Sequence, residues 1–401
     1  MRCKGVVSIF VAISLGIPAA ICAPCDFRPP DGSIEIPLPL HPLMVAPLKN
    51  ACALLVTFSD NGDPAKGAIA VVQPREEKFA VTFSLDLPTE PVGMALTRDE
   101  SVVAIAGGSR IYFADVAGLL AGKPDALLGT SEYDQKAGTV SLALSRDEQV
   151  LFASDENAGT VTVIDFSAGR ASKFANTPVR GRIAVDWAPT VLKMTADGVH
   201  LLVPVEGVRR RFNPPVLCPG QPGGEAVNPV GAILSLRIPE ARARPENAVP
   251  RRSYAGCSPV RMELAQDGQT AFVTNREENL LRIMDVAKIL RGDLEASIGG
   301  VAVGPNPIGL ALVDHDQLAV VSNSNRWAKE QTRQTMSVID IAGGHRRKPV
   351  VLGRIPVGVF PRDIAVSPDG RTVVVSNFGS NSLTLLDVSK LRTLALPAKS
   401  P

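Results

Sequence analysis

The stretch "RDIAVSPDGRTVVVSNFG" at 362–379 recurs, in variant form, five more times along the chain. "VGMALTRDESVVAIAGG" (92–108), "VSLALSRDEQVLFASDE" (140–156), "TVLKMTADGVHLLVPVEG" (190–207), "VRMELAQDGQTAFVTNRE" (260–277) and "IGLALVDHDQLAVVSNSN" (308–325) share its frame. The turn acid falls at Asp99, Asp147, Asp197, Asp267 and Asp369, and one residue out of step at Asp316. From the first to the last the mean period is about 54 residues, within the range of repeat architectures once insertions are counted.

Each unit alternates apolar and polar residues, turns at Asp-Gly or Asp-Glu, and runs on into a β-branched strand such as "TVVVSN". Glycine supplies the positive φ of that turn, and aspartate caps the backbone beyond it. A third strand follows in "GTVTVIDF" (159–166), "NLLRIMDV" (279–286), "QTMSVIDI" (334–341) and "SLTLLDV" (382–388), and a weaker fourth in "VLGRIPVG" (351–358). Four antiparallel strands repeated radially make a β-propeller blade. Six units are clear and Leu43 to Asp86 supplies a degenerate seventh, so the expected fold is all-β, a seven-bladed β-propeller of four-stranded antiparallel blades. At the tightest spacing, that between Asp99 and Asp147, an eighth would fit. Pairing of "SIEIPLPL" (33–40) with the last blade would close the ring and remove an exposed edge. No helical pattern recurs between the strands; "VSKL" (388–391) and "VAKIL" (286–290) make at most a turn each.

At 401 residues, 45% hydrophobic and 20% charged, the chain can bury a large core. Its 42 Lys and Arg against 40 Asp and Glu give no global attraction to nucleic acid or a membrane surface. Arg2 and Lys4 precede an apolar run from Val6 to Ile17 and then Pro18, Ala19 and Ala20, the pattern of a secretory signal peptide. Residues 1–23 are therefore expected to be removed, leaving 24–401 as a single propeller domain, periplasmic or extracellular, monomeric and without a membrane span. Of six cysteines, Cys25, Cys52, Cys218 and Cys257 would remain, enough for two disulfides in an oxidising compartment. The "CAPC" pair (22–25) is split by that cleavage, which removes a redox reading.

In "AFVTN" (271–275), "VVVSN" (373–377) and "AVVSN" (319–323), with the endings "IMDV", "LLDV" and "VIDI", the chain resembles the exported YVTN-type, lactonase-like propellers. These motifs build blades. The resemblance implies the fold, and it brings two functions: a binding module, or a lactonase of the 6-phosphogluconolactonase-like kind. The chain carries no Trp-Asp blade ending and no haem-attachment motif.

Blade topology puts the connections from second to third strand, and those between blades, on one face. That face carries the insertion 206–231 and the loop "NSNRWAKEQTRQ" (323–334). Cys218 and Cys257 both fall there, so their pairing would brace the insertion and leave Cys25 to Cys52. Arg209, Arg210, Arg211, Arg326, Lys329 and Arg333 lie on that side, with Arg261 and Arg362 at blade entrances. Guanidinium groups converging on a channel mouth suit a carboxylate or phosphate, although charge clusters in long loops are more often simply solvated. Trp187 and Trp327 offer a stacking surface or, more commonly, loop anchors.

Lactone hydrolysis needs an activated water and a stabilised oxyanion. His41, His200, His315 and His345 are all expected away from the mouth, leaving Asp363, Glu206 and Asp186 as candidate acids and Arg362 and Arg261 as donors. Asp60, Asn61 and Asp63 read as a turn, so no metal and no cofactor is expected. The expectation is a binding or interaction module for a small anionic molecule or a protein partner, with a lactonase-like hydrolase as the alternative.

Overall fold

The structure, a computed structural model, describes residues 26–49, 51–60, 63–75, 78–209, 217–218, 228–325, 332–343 and 348–395. Seven antiparallel sheets follow one another in a ring. Blades 1 to 6 take residues 41–87, 94–132, 139–184, 187–256, 259–302 and 307–356, each running from inner to outer strand in chain order. Blade 7 takes its three inner strands from Pro361–Val366, Thr372–Asn377 and Ser382–Asp387, and its outer strand from Ser33–Pro37. Ser33 pairs with Leu386 and Pro37 with Ser382, so the expected ring closure is what the chain makes.

The repeated letters each have a structural task. The turn aspartates accept the N–H two residues on: Ser101 to Asp99 (3.0 Å), Val199 to Asp197 (2.9 Å), Gln269 to Asp267 (2.8 Å) and Arg371 to Asp369 (3.0 Å). The next residue is left-handed whether it is Gly198, Gly268 and Gly370 or Glu100 and Glu148; in blade 6 Asp316 stands in this place, after His315 rather than after a turn aspartate. Where an acid stands, its carboxylate reaches the preceding blade: Lys49 N to Glu100 (2.8 Å), Arg98 N to Glu148 (2.6 Å) and Gln266 N to Asp316 (2.5 Å). A charged hydrogen bond worth about 1.5–3 kcal/mol outweighs the left-handed cost of about 1–2 kcal/mol. That explains the Asp-Glu turns among the Asp-Gly ones.

A Ser or Thr one or two residues before the end of the second strand joins neighbouring blades. Thr57, Ser154, Thr274 and Ser376 donate to the carbonyls of Val92 (3.2 Å), Thr190 (2.6 Å), Ile308 (3.0 Å) and Leu43 (3.1 Å) in the next blade. The following Asn ties the third strand to the blade entrance. Asn377 donates to Ser382 (3.2 Å) and Thr384 (2.9 Å) and accepts from Gly358 N (3.1 Å). Asn323 repeats this with Thr335 (2.9 Å), Ser337 (3.0 Å) and Gly304 N (2.9 Å). A Cβ on Gly358 would lie 2.5 Å from the Asn377 amide carbon, so the entrance residue must be glycine.

The strand endings hold more helix than the sequence suggested. Asp115, Asp165 and Asp285 close their third strands and cap helices Val116–Leu120, Phe166–Ala171 and Val286–Arg291, each accepting the N–H three residues on. The acid of "IMDV" is thus an N-cap, the residue type helix starts prefer. Blade 4 departs too: its inner strand is split into Trp187–Pro189 and Lys193–Met194. Among the described residues no helix is long and apolar enough to cross a membrane.

Cys218 and Cys257 form a disulfide with Cα atoms 5.6 Å apart, packed on Val230 and Tyr254 at the root of the insertion. Cys52 is also disulfide-bonded, while Cys25, its expected partner, and residues 1–23 lie outside the described residues.

Candidate functional site

On each inner strand alternate residues pack between blades while the intervening ones border the central channel. Val45, Leu142, Leu192, Met262, Leu310 and Ile364 are buried. One tier of channel positions reads Ala46, Ala95, Ala143, Lys193, Glu263, Ala311 and Ala365 by register against the second strands. The single pair of charges in this tier belongs to adjacent blades and closes on itself, Lys193 Nζ to Glu263 Oε1 at 2.6 Å.

The tier above it holds Met44, Ser141, Arg261, Gly309 and Asp363. Three of these accept from the next blade's inner strand: Met44 Sδ from Met94 N (3.1 Å), Ser141 Oγ from Leu192 N (3.2 Å) and Asp363 Oδ2 from Val45 N (3.2 Å). Asp363 is therefore partly a blade-joining acceptor. Burial raises its pKa, against the pull of Arg261 and of the Val45 N–H. Arg261 breaks the pattern: among the described residues its side chain makes one long bond, Nη1 to the Val260 carbonyl at 3.3 Å, and no ion pair.

A third tier stands at the mouth, in the residue that leaves each second strand. Its N–H bonds to the entrance of its own blade, as in Glu156 to Gly138 O (3.0 Å), Arg276 to Ser258 O (2.9 Å), Ser324 to Asn306 O (3.1 Å) and Phe378 to Phe360 O (3.0 Å). Glu206 is the aligned residue of blade 4, where it lies inside the longer second strand His200–Gly207. Arg276 Nη2 lies 2.7 Å from Glu206 Oε2, which also accepts from Ser258 Oγ at 3.1 Å. Among the described residues Glu156 makes no side-chain hydrogen bond or ion pair. Its pKa is raised by burial and then by the charge of Glu206, and Arg362, Arg276 and Arg261 pull it back. The positive charges of blades 5 and 7 thus act together on this one carboxyl group.

Across the mouth, Phe378 stacks on His41 (4.8 Å), meets Phe360 edge-on (5.3 Å) and lies 5.9 Å beneath the Arg362 guanidinium. His41 Nδ1 is 2.6 Å from the Phe378 carbonyl, which can only accept, so Nδ1 carries the proton. The expectation that no histidine reaches this face therefore fails for His41, because the first strand of blade 1 begins at the mouth. His200 and His315 do lie at the opposite turns, and His345 lies outside the described residues.

Of the other expected residues, Asp186 has a wholly buried carboxylate, taken by Arg252 Nε (2.5 Å) and Arg209 N (3.3 Å). That engagement anchors the root of the insertion. Arg210, Arg326 and Trp327 lie outside the described residues, while Trp187 stands 57% exposed beside Gly207. Glu156 and Arg276 were missed. They occupy the position after the strand-ending Asp or Asn, the same place as Glu206, and aligning the repeats one residue past that ending would have found them. A groove on the opposite face, lined by Arg98, Arg146, Asp147 and Arg242, has its charges turned inward: Arg242 pairs with Asp147 (2.7 Å) and Arg146 holds the Ala196 carbonyl (2.7 Å). Among the described residues no cluster of three or more His, Cys, Asp or Glu could hold a metal ion.

No protein-family model matches the chain, and no curated protein matches it significantly. Solved structures do. A Bacteroides fragilis protein provisionally assigned as a 6-phosphogluconolactonase is 13% identical, with a TM-score of 0.61 over 93% of this chain and 95% of that one. Hydrazine synthase of Kuenenia stuttgartiensis is 15% identical, with a TM-score of 0.59 over 88% and 96%. The Swd1 β-propeller domain of Myceliophteria thermophila is 12% identical, with a TM-score of 0.59 over 87% and 97%. At such identities the likeness is one of fold, and propellers host many unrelated functions.

Proposed function

We propose that this protein is a binding module that takes a small anionic molecule at the channel mouth, with Arg261 as the receiving group and Arg276 and Arg362 beside it. One observation carries this reading: among the described residues Arg261 makes no ion pair, with Asp363 acting on it only through its field, where Lys193, the other cation of the two channel tiers, is paired with Glu263. A guanidinium in a partly enclosed site gains more from an anion than an exposed one does. The Arg261→Ala variant should lose about tenfold or more in affinity for a small carboxylate, the equivalent of about 1.4 kcal/mol, by calorimetric titration with an unchanged melting curve. Unchanged affinity would move the site elsewhere. Export through residues 1–23, a monomeric state and a protein partner on the same face belong to this reading.

A second reading, lactone hydrolysis, is favoured by the contrast between two neighbouring acids. Glu206 is held by Arg276 and Ser258, whereas Glu156 is unpaired with a raised pKa. Such a pair can share the work of a base and an acid. Water would add to the lactone carbonyl, Arg261 would stabilise the oxyanion, and the ring oxygen would leave with a proton as the hydroxy acid forms. Turnover of a lactone panel that is lost in Glu156→Gln and Glu206→Gln would establish this reading; no turnover leaves the binding module.

A further inference from the structure

The outer strands of a propeller are sheet edges, and a bare edge is a template for another strand. Most edges of this ring are covered, charged or both. Helix Val116–Leu120 packs on the outer strand of blade 1, Lys78–Leu87. Helix Val286–Arg291 does the same for Arg251–Gly256 of blade 4, and Leu391–Leu394 for Val350–Pro356 of blade 6. In blade 3 the turn Pro245–Asn247 lies against Val179–Ala184, and in blade 2 a side chain on Gly129 would strike the Phe174 carbonyl. Six of the seven outer strands also carry charge, at Glu35, Lys78, Glu132, Arg180, Arg251 and Arg354.

The outer strand of blade 5 is the exception. Ser297–Ala302 reads "SIGGVA", with neither charge nor proline, and among the described residues no helix packs on it. None of its residues is buried, whereas each of the other six strands has at least one that is. Leu294, just before it, is 51% exposed and ties back to the outer strand of blade 4 through Tyr254 N (3.0 Å). Val350, 45% exposed, begins the outer strand of blade 6.

Gly299 and Gly300 sit in the middle of this edge, paired with Ile283 and Arg282 of the third strand. Glycine inside a strand weakens it and often marks where another backbone comes close. A Cβ on Gly300 would stand 3.1 Å from the Leu281 carbonyl and 3.4 Å from Leu280 Cδ2, so a side chain there is disfavoured from within the blade. An added strand would take up the main-chain hydrogen bonds of the edge, and an aromatic side chain on it would cover the glycines. Two copies paired about these glycines would set glycine against glycine and cover neither.

We propose that the outer edge of blade 5 is a docking site for an extended segment of another protein, uncharged and with an aromatic side chain at its centre. The guest adds a fifth strand to the blade. It lies on the rim, away from the channel mouth, so it leaves the mouth open to a ligand.

The test is fluorescence polarisation of the full chain with a labelled peptide that alternates threonine and valine around a central phenylalanine. One control has alanine at the centre, and another has all its central amides N-methylated. The phenylalanine peptide should bind about threefold more tightly than the alanine one, the scale of a cross-strand aromatic pair, and the methylated peptide should not bind. Ala302→Lys, at an exposed position, should weaken binding about tenfold by charging the edge. Ala184→Lys, in the same register on the charged edge of blade 3, should leave it unchanged. Binding that survives Ala302→Lys with an unchanged melting curve, equal affinity for either control peptide, or no binding at about 1 mM peptide would overturn the proposal. So would a dimer of the chain alone, seen by light scattering, that Ala302→Lys breaks into monomers, because the edge would then belong to a second copy.

Discussion

The blade-ending asparagine shows how one side chain can be both conspicuous and mute in a sequence. The recurrence of Thr-Asn and Ser-Asn marks the period, but the letter alone does not reveal that Asn377 spans the third strand and the blade entrance. Its removal orphans the Gly358 N–H and the Thr384 hydroxyl in a buried place, while Ser382 keeps Glu35 and Ser380. Asn377→Ala should cost about 2–4 kcal/mol in denaturant unfolding, whereas an exposed polar residue would cost almost nothing. Glu156 supports a second prediction. Its folded pKa is raised, so its contribution to stability is fully present below the unfolded value of about 4.3 and is lost as pH rises through the folded value. Glu156→Gln should therefore match the parent near pH 3 and unfold at higher denaturant by pH 7. The same midpoint difference at both pH values would contradict the environment described for Glu156.

At the scale of elements, the strands were legible because alternation with a dividing turn is a strong signal, and the short helices were not because five or six residues carry too little periodicity. Their evidence lay in the aspartate before them. Asp285 caps Val286–Arg291 through the Lys288 N–H at 3.0 Å, and Asp285→Ala should cost about 1 kcal/mol by thermal or chemical unfolding. The split inner strand of blade 4 was equally hidden, since "WAPTVLKM" reads as one run, whereas the chain leaves the sheet over residues 190–192, just after Ala188 at positive φ and Pro189. The site was half legible for a related reason. Arg261, Arg362 and Glu206 sit at blade starts or beside the insertion and drew notice, while Glu156 and Arg276 stand in short loops of ordinary composition. Only the ring brings those loops to one mouth.

For the whole molecule, the decisive contact joins residues more than three hundred apart in sequence. Ser33–Pro37 covers the edge of Ser382–Asp387, and Ile36 is buried with Phe27, Leu383 and Leu385. Removing residues 26–37 exposes a strand edge and the apolar surface beneath it, so a chain beginning at Leu38 should melt earlier and self-associate. Light scattering with chromatography would read this; a monodisperse monomer of unchanged melting temperature would show the strand dispensable.

The same closure sets where the polypeptide can be cut. Asp387 N bonds to Gly32 O at 2.9 Å, Lys390 Nζ to Pro30 O at 3.0 Å, and a Cβ on Gly32 would stand 3.5 Å from Leu394. The two sides of the seam already meet, so a short peptide could join them and new termini could open between blades 1 and 2, away from the mouth charges of blades 3, 4, 5 and 7. A circularly permuted chain of that kind keeps every contact of the site, and its folding would show whether the seam is where assembly must end or only where this sequence happens to be numbered.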